Sequence, residues 1–115
     1  MPKFSDQQFK TFRQLKRNGF YEKLHLDLRG FMARKLPDVA LEDGDARIRQ
    51  AFQTCADHGF RTEKQITTLS YILVTFPRDY AQSERFGWLD ALIRAKATPG
   101  VRLSRIKAVI KAGAS

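Results

Sequence analysis

The 115-residue chain has one cysteine, two histidines and seven glycines, and each scarcity closes off a class of chemistry. With Cys55 alone, no intrachain disulfide can form, whereas small secreted domains lean on several. A structural zinc site takes four ligands; Cys55 and His58, three apart on one helix, and the distant His25 fall short of that. A Cys-His nucleophile would also need a third orienting group and a cleft. No aliphatic run exceeds three residues, as at Ile72 to Val74, against the roughly 20 of a membrane-spanning helix. The start lacks the basic, apolar and cleavage regions of a secretion signal, so the expectation is a cytoplasmic chain with no membrane partner. There is no glycine-rich phosphate cradle and no Gly-x-Ser-x-Gly elbow. Nor is there a zinc finger, a ribonucleoprotein aromatic motif or a clear helix-turn-helix pair. Glu42-Asp43-Gly44-Asp45 lacks the alternating ligands and terminal glutamate of a calcium loop. These absences predict a protein that is not an enzyme and holds neither cofactor nor metal, with Cys55 as a small core residue.

No Val/Ile/Thr-rich alternation supports a sheet, and the periodicity that is present is helical. The expected fold is all-α: a compact single-domain bundle of five or six short amphipathic helices over residues 1–115. Ser5 with Gln8, and Phe4 with Phe9, have the capping-box and staple spacing that starts a helix at about residue 6. Phe9, Phe12 and Leu15 form its stripe, Asn18-Gly19 a stop or kink, and Phe20, Leu24, Leu28 and Phe31 the continuation to Pro37. After an acidic connection in which Asp43 or Asp45 is the expected N-cap, Ile48, Ala51, Phe52 and Cys55 make the next stripe. Gly59-Phe60 has the form of a Schellman stop. Thr62 and Gln65 open a helix carrying Ile66, Leu69, Leu73 and Phe76 up to Pro77. Trp88, Leu89, Leu92 and Ile93 mark another, and Thr98-Pro99 begins the last, with Leu103, Ile106, Val109 and Ile110. The expected core is Phe9, Phe12, Leu24, Phe31, Phe52, Ile66, Leu69, Leu73, Trp88, Leu92, Ile106 and Ile110.

Charge is the largest anomaly: the net value is +9, with +6 over residues 1–36, −3 over 37–60, zero over 61–90 and +6 over 91–115. If the first and last helices pack together, Lys16, Arg17, Arg34, Lys35, Arg102, Arg105, Lys107 and Lys111 make one basic face for phosphates or an acidic protein. Solvated polar faces of amphipathic helices account for the same residues. In the loop before Trp88, Arg78, Tyr80, Arg85 and Phe86 have the composition of an interface anchor cluster, or of a lid over the core.

Three stretches read together carry a resemblance. Phe20-Tyr21-Glu22-Lys23-Leu24 with Leu28-Arg29 and Leu36-Pro37 is the first. His58-Gly59-Phe60-Arg61-Thr62-Glu63 is the second, and Trp88-Leu89 with Ala91-Leu92-Ile93 the third. They resemble a family of small helical proteins encoded beside effector and effector-chaperone genes of bacterial type VI secretion systems. The resemblance implies a protein-binding accessory factor, a co-chaperone or adaptor whose larger partner is an effector chaperone or an effector. A basic nucleic-acid-binding helical protein and an immunity protein that binds a toxin are the alternatives.

Overall fold

A computed structural model of the chain describes residues 19–113, and over them the protein is an all-α domain. Its helices are α1 (Phe20–Lys35), α2 (Leu41–Asp57), α3 (Glu63–Leu73), α4 (Gly87–Arg94) and α5 (Pro99–Lys111), with a 3₁₀ turn at Tyr80–Gln82. The helix expected from residue 6, including Phe9 and Phe12, lies outside the described residues.

Local chemistry sets most boundaries where the spacing puts them. Gly19 is left-handed (φ 74°), a conformation glycine adopts without strain, and α1 begins at the next residue. At the end of α2, Gly59 is again left-handed (φ 83°), and the Phe60 N–H donates to the Cys55 carbonyl at 3.0 Å. That is the Schellman closure, with the Phe60 ring folded back to 1% exposure. Thr62 Oγ1 accepts from the Gln65 N–H at 3.1 Å while Gln65 Oε1 accepts from the Thr62 N–H at 3.3 Å, completing the capping box of α3. Thr98 Oγ1 accepts from the Val101 N–H at 3.3 Å, with Pro99 opening α5.

Two boundaries differ. Neither Asp43 nor Asp45 caps α2, which starts at Leu41 after Ala40. Both aspartates sit inside the helix and are paired there: Asp43 with Arg47 and Arg78, Asp45 with Arg29 and the His25 ring. Glu42 and Asp43 still meet the positive end of the helix dipole from the first turn. The helical spacing that reached Phe76 also overruns: α3 stops at Leu73, and Thr75 and Phe76 close tighter turns onto Ile72 and Leu73. Pro77 disfavours a helical Phe76, and the Thr75 hydroxyl donates to the Ile72 carbonyl at 2.6 Å.

α3 is the hub, packed against α1, α2 and α5, while α4 packs on α5 and the 3₁₀ turn. Leu24, Ile66, Leu69, Leu73 and Ile106 are buried as expected, joined by Leu28, Ile48, Cys55, Leu89 and Ile93 at 0% exposure. Phe31, Phe52, Trp88, Leu92 and Ile110 are only partly buried. On α4 the sunken ridge is Leu89 and Ile93, one residue along from Trp88 and Leu92. The aromatics instead roof the aliphatic interior edge-to-face, Phe31 on Tyr71 at 5.1 Å, Phe52 on Tyr21 at 4.9 Å and Trp88 on Phe76 at 5.9 Å. No helix among the described residues is long and apolar enough to cross a membrane.

Candidate functional site

The loop cluster comes apart into separate roles. Tyr80, expected as a partner anchor, is 5% exposed and belongs to the core. The 3₁₀ turn aims its ring inward, where it hydrogen-bonds Thr54 and burial pushes its phenol pKa up. Arg78 is strapped to α2: its Nε donates to Asp43 Oδ1 at 3.0 Å, and its carbonyl accepts from Gln50 Nε2 at 2.9 Å. Arg47, held by the other oxygen of Asp43 at 3.0 Å, donates onward to the Val74 carbonyl at 3.1 Å. Asp43 thus pins the segment after α3 to the first turn of α2. Arg85 and Phe86 stay nearer the surface, the guanidinium 5.1 Å above the Phe86 ring and that ring edge-on to Phe76 at 5.2 Å. A lid over the core describes this segment better than an anchor cluster.

The basic set divides as well. Lys16 and Arg17 lie outside the described residues. Arg34 and Lys35 are exposed in the last turn of α1, and Arg105, Lys107 and Lys111 are exposed on α5. α1 and α5 each pack against α3. Arg102 is removed from any basic face, being 7% exposed. Its Nε donates to the Ala97 carbonyl at 3.0 Å, its Nη1 to the Ile93 carbonyl, and its guanidinium stacks 4.5 Å over the Phe60 ring. The Ile93 carbonyl at the end of α4 and the Ala97 carbonyl in the turn after it draw it in, and burial lowers its pKa.

Cys55 lies against Ser70 Oγ and the Ile66 carbonyl, and burial pushes its thiol up to about 12, which suits a core residue and not a nucleophile. His25 Nε2 meets Asp45 Oδ1 at 3.2 Å, away from Cys55 and His58 in its pairing. Among the described residues, no three His, Cys, Asp or Glu side chains converge on a common point.

What periodicity missed is apolar surface. A groove of about 280 Å³ opens at the elbow between α1 and α2, lined by Met32, Leu36, Val39, Leu41 and Ile48 and edged by the Arg29–Asp45 ion pair at 3.2 Å. Gly44 is buried there beside Met32, whose methyl lies 3.5 Å from where a Cβ would stand, an ordinary contact distance. Leu41 is 65% exposed, and Leu26, on a shelf with Tyr21, His25 and Phe52, is 67% exposed. Leu26 sits off the stripe of Leu24, Leu28 and Phe31, whereas Leu41, seven residues before Ile48, is in line with the α2 stripe but stands exposed at the helix's first residue. No protein-family model matches the chain, and no curated protein or solved structure matches it.

Proposed function

We propose that the protein is a non-enzymatic accessory factor that binds a larger protein. In the role its family resemblance implies, it is an adaptor or co-chaperone for a type VI secretion effector chaperone, or for the effector itself. The observation that supports this reading is the elbow groove, with Leu41 65% exposed at its lip. Exposed apolar surface rimmed by polar groups is where partners dock, and a groove of this size takes one or two apolar side chains. Arg29 and Asp45 supply a polar rim.

Tagged full-length protein isolated from its native cell should retain an effector chaperone in stoichiometric amount. Leu41→Asp should release it without lowering the melting temperature, because Leu41 stands in solvent. Equal retention by both forms would remove the groove from the reading. Retention of a toxin whose activity the protein blocks would replace the adaptor role with immunity.

A further inference from the structure

α4, the connection 95–98 and α5 are two helices joined by a four-residue turn, and Arg102 locks that turn by tying the Ile93 and Ala97 carbonyls to α5. The inward side of α5 carries Arg102, Leu103 and Ile106. At 3.6 residues per turn the opposite side runs through Val101, Ser104 and Ala108, all exposed and all short. Arg105 stands on one flank of that row and Lys107 on the other, with Lys96 in the turn and Lys111 at the far end, every one exposed. None of these four cations has an ion pair among the described residues. From residue 91 onward the sequence contains no Asp or Glu.

We propose that this face of α5 binds duplex DNA by entering the major groove. An α-helix about 10–12 Å across fits a groove about 12 Å wide. Short side chains along the centre let the helix approach the base edges, and cations on both flanks reach the phosphates of the two strands. The absence of carboxylates removes the repulsion that an ordinary amphipathic helix would meet. A protein partner would seek large apolar or aromatic anchors, and here Val101, 41% exposed, is the only apolar side chain in the row bigger than alanine. The major groove of A-form RNA is too narrow for a helix, so DNA is the duplex that fits. The surface is separate from the α1–α2 elbow, so this proposal and the accessory-protein reading stand or fall independently.

The test is fluorescence anisotropy of the full-length protein with a labelled DNA duplex of about 20 base pairs, titrated between about 50 and 200 mM salt. Four phosphate contacts predict that log K falls against log salt with a slope of about −3.6. Arg105→Ala and Lys107→Ala should each flatten that slope by about 0.9, whereas Lys23→Ala on α1 should leave it unchanged. Ser104→Glu, which puts a carboxylate at the centre of the row, should weaken binding about tenfold or more at low salt. All four positions are exposed, so unchanged melting temperatures should accompany these effects. No DNA binding at the lowest salt, a slope indifferent to Arg105 and Lys107, or equal affinity for an RNA duplex of the same length would overturn the proposal. So would loss of a bound protein, in place of DNA, on Ser104→Glu.

Discussion

The α4–α5 corner and the α1–α2 elbow both join two helices through a short connection, yet they treat polarity in opposite ways. At the corner a guanidinium is held inside: Arg102 is 7% exposed, stacked on the Phe60 ring and bonded to two backbone carbonyls. At the elbow an aliphatic side chain is left outside, Leu41 at 65% exposure. The difference lies in how each connection satisfies its own backbone. α4 ends in an extended residue, Ala95, and the Ile93 and Ala97 carbonyls before and beyond it need a donor from elsewhere. The elbow closes on itself, the Leu36 N–H donating to Met32 at 2.8 Å and the Val39 N–H to Leu36 at 3.0 Å, and leaves its side chains free to be apolar.

The contrast is broken most severely at Arg102. Arg102→Ala removes two charge-assisted hydrogen bonds and a cation–π contact, and should cost about 4 kcal/mol of unfolding free energy in urea. Arg102→Lys should recover less than half of it, since an ammonium cannot span two carbonyls and cover a ring face. A loss under about 1 kcal/mol for the alanine variant would mean that the corner's carbonyls are satisfied without the arginine.

Next in size is the pair of neighbouring ridges on α4. Ile93, fully buried, should cost about 3 kcal/mol on truncation to Ala, while Trp88, half-buried and edge-on to Phe76, should cost about 2. The reverse order in denaturant midpoints would return Trp88 to the centre of the core.

The corner also has a pH signature. His58 is held below its ordinary 6.5, first by burial and then by the Arg94 charge, with Arg102 adding to it. Protonation is therefore easier in the unfolded chain than in the folded one. Stability is fully present above about 6.5 and declines as the pH falls through that value toward the lower folded pKa. His58→Gln should flatten this part of the stability profile; identical profiles for the two proteins would show that the decline arises from other groups.

What could be read from the chain, and what could not, follows the same division. The Thr62–Gln65 box, the Gly59-Phe60 stop and the Thr98-Pro99 start each use residues within five positions of one another, so local spacing contains the whole interaction. Tyr80 and Arg102 were misassigned because their partners are remote or are backbone atoms: Thr54 on another helix for one, carbonyls across a turn for the other. Periodicity counts side chains and is blind to orphaned carbonyls. One hint was present, since Arg102 stands four residues before Ile106 on the apolar side of α5. Leu26 lies off the stripe of Leu24, Leu28 and Phe31, while Leu41 is in line with Ile48 and Cys55 yet stands exposed at the first residue of α2, which periodicity does not foresee. Asp43 shows a mixed case: its Arg47 partner, four residues on, is visible in sequence, but Arg78, 35 residues away, is not.

The smallest expected effect sharpens the comparison from the elbow side. An aliphatic side chain that contributed to folding would be missed when made polar; one kept for an external contact would not. Leu41 is 65% exposed, so most of its surface is wet in the folded and unfolded chain alike, and little transfer free energy is at stake. Its helix position is undemanding, because the turn below it is closed by the Gly44 N–H donating to the Ala40 carbonyl at 2.8 Å. Leu41→Ser should therefore shift stability by no more than about 0.5 kcal/mol in urea denaturation. The same substitution at Ile48, on the floor of the same groove at 0% exposure, should be strongly destabilising. If Leu41→Ser were as costly as a core substitution, the leucine would be serving the fold, and the elbow would lose its claim to be a surface kept apolar for a partner.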